Sequence, residues 1–224
     1  MTTLLALDTA TEACSVALLH NGEVTSHYEV IPRMHAQKLL PMIKQLLAES
    51  GVALGTVDAI AFGRGPGAFT GVRIAIGVVQ GLAFALERPV LPVSNLAALA
   101  QGALRQQGAQ QVAAAIDARM DEVYWGCYQA IAGEMRLQGA EAVLPPERVA
   151  LPAGAQGLWF GAGTGWGYAE RLAVTADASD PSALPSALDV LSLARFAWAR
   201  GEAIAAEQAQ PIYLRDNVAT PKKQ

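Results

Sequence analysis

The chain has 224 residues, of which 52% are hydrophobic and 16% charged, and a formal net charge of −4. That is enough apolar material to close a sizeable core, as one domain or as two sharing a cleft, and it excludes a disordered chain. A negative balance exerts no overall pull on polyphosphate, so a stand-alone nucleic-acid binder is disfavoured; any such contact must come from a local patch or another subunit.

In chain order, the N-terminal MTTLLALDTATEACSVALL lacks a basic segment ahead of its apolar run and meets Asp8 early. The expectation is a cytoplasmic protein without a secretory leader. Leu4 to Leu7 reads as a short strand, and Cys14 to Leu19 and Val24 to Val30 read as two more. Asn21-Gly22 joins them, because both residues tolerate the positive φ of a type I′ hairpin turn. After Pro32, RMHAQKLLPMIKQLLAESG sets Ala36, Leu39, Leu40, Ile43, Leu46 and Leu47 at helical spacing, with Gly51 as the stop. Val57 to Phe62 is a buried strand, GRGPGAFTG an elbow, Thr70 a cap for the next helix, and Val90 to Val93 a further strand. The order is βββαβαβ. The helical run from Gly71 to Leu86 is shorter than the ~20 residues that cross a bilayer and is broken by Arg73 and Gln80, so it is not an anchor.

The second half repeats the theme. Val112 to Ile116 is an apolar strand ending at Asp117, as Leu4 to Leu7 ends at Asp8, and WFGAGTG (Trp159 to Gly165) echoes AFGRGPG (Ala61 to Gly67). Their shared order points to duplication. A connection rich in Pro and Gly lies between, a helix runs from Val190 to Arg200, and Ile212 to Leu214 form a short strand or docking segment before the end frays. Cys14 and Cys127 stand far apart in apolar segments without a CxxC pair and read as buried thiols.

Three features bear on chemistry. Asp8, followed by Thr9, Thr11 and Ser15, is either a turn aspartate or the acidic, hydroxyl-rich turn that holds a hydrated cation beside phosphates. The elbow, with Gly63, Gly65 and Gly67, either offers backbone amides to an anion at a helix start or is a tight turn. It lacks the Gly-Lys-Ser/Thr ending of a P-loop, and its GxGxxG register fails at Ala68. In the helix beyond, Thr70, Arg73, Gly77, Gln80 and Glu87 make one narrow polar or small stripe, while Val72, Ile74, Ile76, Val78, Val79, Leu82, Phe84 and Leu86 cover the remaining faces. A helix packed on one sheet needs less, so it packs between a sheet and another helix, of this chain or of another subunit. Gly77 and Gly81 let that neighbour approach closely. His20, His27 and His35 have no metal-ligand spacing, His35 reads as a helix-start or satisfied surface histidine, and there is no GxSxG or Cys-His arrangement.

Together, LALDTATEACSVAL, RMHAQKLLP, GRGPGAFTGVRIAIGVVQGLAFAL, IDARMDEVYWGCY and PIYLRD resemble the TsaB (YeaZ) family, in order and over nearly the whole chain. The resemblance implies an α/β fold of the actin-like kind (acetate and sugar kinase/Hsp70/actin, ASKHA) with two βββαβαβ-type lobes, the second abbreviated. Residues 1–105 would be the lobe carrying the interface and 106–224 a smaller lobe whose tail packs back on the first. It further implies a non-catalytic partner of TsaD, which transfers threonylcarbamoyl to the adenosine next to the anticodon of tRNAs reading codons that begin with A. The ATPase TsaE would join the assembly, tRNA would be reached through the complex, and the isolated chain would be a homodimer. No cofactor or metal is expected in this chain; ATP and a metal belong to other subunits, and the HxxxH pair of TsaD is absent here. The implied interface comprises Ala36, Leu39, Leu40, Ile43 and Leu46 of one helix and Val72, Ile76, Gly77, Val79, Gln80, Leu82 and Ala83 of the next. Asp8, Thr9, Gly63, Gly65 and Gly67 would be vestiges of a nucleotide site. The alternatives are an ATP-dependent phosphotransferase of the same superfamily and, from an old superfamily label, a peptidase, for which the chain offers no ligand or nucleophile set.

Overall fold

In the computed structural model, which describes residues 2–215, strand β1 (Leu4–Asp8) is buried along its whole length. Helices cover both its faces, the condition under which a strand reads as an unbroken apolar run. β2 (Ala13–His20) and β3 (Glu23–Val30) continue antiparallel through Asn21 and Gly22, both at positive φ. α1 (His35–Glu49) leads to β4 (Ala59–Gly63), and α2 (Phe69–Leu86) leads to β5 (Val90–Val93). The first sheet has the order β3-β2-β1-β4-β5, with β1, β4 and β5 parallel.

α3 (Asn95–Gln107) crosses to the second half: β6 (Gln111–Arg119), β7 (Glu122–Ile131), β8 (Glu134–Leu137), β9 (Ala142–Leu144), β10 (Phe160–Ala162), β11 (Ala178–Asp180) and α4 (Ala187–Ala199). Read from β8, the second sheet runs β8-β7-β6-β10-β11, with the same antiparallel and parallel pairings as the first; β9 shares the outer edge of β7. Asp8 and Asp117 thus lie on equivalent strands, and AFG and WFG both feed strands parallel to them. The abbreviation has a specific form. Where the first sheet carries α1 and α2, the second carries β9, irregular chain and a 3-10 turn at Thr164–Tyr168.

The layers are interlocked. α1 and α2 cover one face of the first sheet, with Leu39, Leu46, Val72 and Val79 against Leu5, Leu7, Val16 and Phe62. α3 follows the first sheet but packs on the second, placing Leu96, Leu99 and Ala103 among Val112, Ala114 and Tyr128. α4 follows the second sheet but packs on the free face of the first, placing Val190, Leu191 and Ala194 among Leu4, Ala6, Ala17 and Leu91. The division at 105/106 therefore falls inside α3, and α4 belongs by packing to the first sheet. The chain then returns along the first half, where Ile204 bridges Val90, Ala206 and Ala209 join the α2 side of the core, and Ile212 N–H donates to the Arg64 carbonyl at 2.9 Å.

Of the local expectations, two need correction and two are narrowed to one of their alternatives. α2 starts at Phe69 with the extended Ala68 as its cap residue, because the elbow holds the Ala68 N–H on the Ala10 carbonyl at 2.7 Å; Thr70 lies inside the first turn and caps nothing. His35 does begin α1, but it is buried, with Nε2 3.2 Å from the Ala13 carbonyl. Ile212 to Leu214 dock without forming a strand. The α2 run is, by length and composition, long enough to cross a membrane, contrary to the sequence estimate; it is the crossover between parallel β4 and β5, with Gly71, Val72, Ala75, Ile76, Val79 and Ala83 buried. Cys14 and Cys127 are buried free thiols, pushed up to about 12 and about 11 chiefly by desolvation.

Candidate functional site

The aspartate and the elbow meet at the end of β1. Asp8 is fully buried; its Oδ1 accepts from Ala10 N–H at 3.2 Å and its Oδ2 accepts from Asn95 Nδ2. Burial raises its pKa to about 6, against the lowering effect of these two hydrogen bonds. The hydroxyls around it are also turned inward. Thr9 donates to the Gly71 carbonyl at 2.7 Å, and Ser15 accepts from Ala187 N–H at 2.8 Å.

Three of the elbow's amides are consumed in the same way. Arg64 N–H donates to Val93 O at 2.8 Å, Gly65 N–H to Asn95 Oδ1 at 2.8 Å, and Ala68 N–H to Ala10 O. Gly65 sits at φ +98 before a cis bond to Pro66. A Cβ on Gly63 would run into the Asp8 carboxylate, and one on Gly67 into the Ala10 carbonyl. The glycines serve close approach to the β1 turn, so of the two readings of the elbow the structure gives the tight turn. Asp8, Thr9, Gly63, Gly65 and Gly67 are brought together, but in a closed cluster that does not fit a cation-bound nucleotide.

Outside this cluster a cavity of about 370 Å³ lies between Tyr28, Arg105 and Ser186, and a larger one, about 810 Å³, separates the lobes. The larger is bounded by Thr11 and Glu12, the elbow's Ala68 and Phe69, and Asp117, Arg119 and Tyr124 of the second half. Asp117 is neutralised locally, receiving Arg119 N–H at 2.8 Å and Arg119 Nη1 at 2.9 Å. At the mouth, Arg119, Met120 and Asp121 are consecutive residues at positive φ. Arg215 clamps this turn by donating to the carbonyls of Ala118 and Arg119 and to Glu122. Among the described residues, no three His, Cys, Asp or Glu side chains converge as metal ligands.

The helical face expected to meet a partner requires the largest correction. Leu39, Ile43, Leu46, Val72, Ile76, Val79 and Ala83 point into the chain's own core and cannot line an interface. Gln80 is half-buried, its Nε2 donating to Ala209 O at 2.9 Å. Ala36, Leu40 and Gly77 face outward and Leu82 is half-buried. The structure adds Phe69 and Phe84, 59% and 58% exposed, with Gly81, Ala85 and the partly buried Ile74 and Val78. Nothing lies within 4 Å of a Cβ placed on Gly77 or Gly81. At the start of this ridge the Arg73 guanidinium lies 3.2 Å from the Phe69 ring centre and 5.0 Å from that of Tyr213, and the two rings stack at 6.0 Å. Sequence reasoning missed this ledge and Asn95. The available signals were an aromatic at the outset of an exposed helix and an asparagine directly after a cap serine.

Two sheets of one topology, joined by exchanged helices and each carrying an aspartate on its central strand, define an α/β protein of the actin-like ASKHA class. A family model described as TsaD: tRNA N6-adenosine threonylcarbamoyltransferase matches residues 23–223. The chain is 48% identical to the tRNA threonylcarbamoyladenosine biosynthesis protein TsaB of Escherichia coli, over 98% of this chain and 97% of that one. Its identity to TsaB of Haemophilus influenzae is 46%, over 98% and 96%. The solved structure of YeaZ from Pseudomonas aeruginosa matches with a TM-score of 0.94 at 74% identity, covering 96% of this chain and 100% of that one. The chain belongs to the TsaB (YeaZ) family.

Proposed function

We propose that the chain is the non-catalytic partner of TsaD in threonylcarbamoyl transfer to tRNA, working in the cytoplasm, with TsaE as a further component and tRNA engaged through the complex. The observation that carries this reading is the outward face of α2, where Gly77, Gly81, Phe84 and the neighbouring apolar side chains stand uncovered along one helix. Its apolar character suits burial against another helix, and the two glycines permit close backbone approach. In the isolated chain the same face would support a homodimer. The relatives' names, which speak of threonylcarbamoyladenosine biosynthesis, agree with this assignment.

A phosphotransferase is disfavoured because the Asp8 carboxylate is buried and already bonded to Asn95 and Ala10 inside the protein. No cofactor or metal is assigned to this chain. A second P. aeruginosa structure, 75% identical, is described as similar to peptidase YEAZ. The described residues gather no set suited to that chemistry.

Reconstitution tests the proposal: unmodified tRNA, ATP, threonine and bicarbonate with the other pathway proteins, with and without this chain. Threonylcarbamoyladenosine should form only when it is present, and the Phe84→Asp variant should fail to support product while keeping the wild-type melting temperature. Equal product in its absence would refute the assignment.

A further inference from the structure

The first turn of α2 and the returning tail together form an exposed ledge at the edge of the cavity between the lobes. Phe69 and Tyr213, the latter from the returning tail, are left 59% and 46% exposed yet stack on each other, and Arg73 lies across the Phe69 ring. Arg105, Arg119, Arg136, Arg171, Arg200 and Arg215 each stand within ion-pair distance of a carboxylate. Arg73 has no such partner among the described residues, nor have Arg33, Arg88, Arg148 and Arg195, but of these Arg73 alone lies over aromatic rings among the described residues. Its one hydrogen bond, 3.4 Å to the Phe69 carbonyl of its own helix, leaves most of its donors free.

A guanidinium stacked on aromatic rings is held flat and partly shielded from water, with its N–H groups directed outward in the plane. That presentation matches a carboxylate, which can accept two parallel hydrogen bonds. The position matters as much as the chemistry. Arg73, Gly77, Gly81 and Phe84 follow one another along a single stripe of α2, so a helix laid on the two glycines passes over the ledge at one end and Phe84 at the other.

We propose that the Phe69–Arg73–Tyr213 ledge is the anchor of the partner interface, and that the protein seated on α2 inserts an Asp or Glu side chain against Arg73. This rests on the partner role proposed above. Exposed arginine and aromatic groups at the end of a flat apolar ridge have the composition of an interface hot spot, while the ridge supplies complementarity.

The test is the affinity of the full-length chain for its TsaD partner, measured by calorimetry for wild type, R73A, R73K, R73E and Gly81→Arg. R73A should weaken binding about 30-fold or more, and R73K should recover little of it, because an ammonium neither stacks nor forms two parallel bonds. Melting temperatures should stay at the wild-type value. R73E should abolish binding, and charge reversal of one partner carboxylate should restore it. Should R73A bind within about threefold of wild type while Gly81→Arg is dead, the ledge is no anchor although the partner face stands. Should neither change matter, the partner role falls as well. Should R73A lose affinity for tRNA alone and keep that for the protein, the group on Arg73 is a phosphate and the proposal is overturned.

Discussion

Asn95, the first residue of α3, binds Asp8 through Nδ2 and the Gly65 N–H through Oδ1, the latter at 2.8 Å. One side chain therefore joins the end of β1, the glycine elbow and the start of the connecting helix, and closes the place where a nucleotide's cation would otherwise reach the aspartate.

Asp8 should impose a specific pH dependence. Its folded-state pKa, about 6, lies above the ordinary 3.8, so the folded state binds the proton more tightly than the unfolded chain does. The stabilisation is complete below pH 3.8 and is lost as pH rises through 6, a change of about 3 kcal/mol. Urea unfolding of wild type and Asp8→Asn at pH 4 and pH 7 should show the difference moving in favour of the variant at the higher pH. A constant difference would mean that Asp8 titrates normally.

The two sides of α2 should respond oppositely to substitution. Val79 is fully buried, so Val79→Asp should cost about 4 kcal/mol or more and largely unfold the chain, making it a poor probe of association. Gly77→Ala and Gly81→Ala meet open space and should each stabilise the monomer by about 1 kcal/mol through helix propensity. Gly81→Leu should melt no lower than wild type yet lose partner binding, which thermal melts paired with a pull-down would read directly.

Gly71→Ala would drive its Cβ into the Thr9 carbonyl. Rigid backbone lies on both sides of that contact, so a loss of about 3 kcal/mol is expected. Chemical denaturation checks it, and an unchanged midpoint would show that the elbow can separate from the β1 turn.

Arg105 holds the buried Asp189 with two bonds, 2.8 and 2.9 Å, between α3 and α4. Arg105→Ala leaves a buried carboxylate without a partner and should cost about 3 kcal/mol, whereas Arg105→Met with Asp189→Leu should cost much less. A double-mutant cycle by thermal unfolding separates these cases.

The duplicated strand pattern was legible because each half states it in the same order, with Asn-Gly at one hairpin and an aspartate at the end of one strand of each pair. α2 was legible as a helix but not as a surface. Apolar residues surround it, so periodicity could not tell Val79, which faces the sheet, from Phe84, which faces out. Asn95 was hidden for a different reason, since its two bonds reach back 87 and 30 residues. Local pattern carries no trace of such closures.

The crossing of α3 and α4 has a consequence for the integrity of the molecule. Each helix is the lid of the opposite sheet, so a fragment ending after α3 keeps a helix with nothing to cover and a sheet with one bare side. Neither half is expected to fold as an autonomous piece. The geometry is that of an arm-exchanged pair enclosed in a single polypeptide, and two copies of one half could complete each other only by embracing.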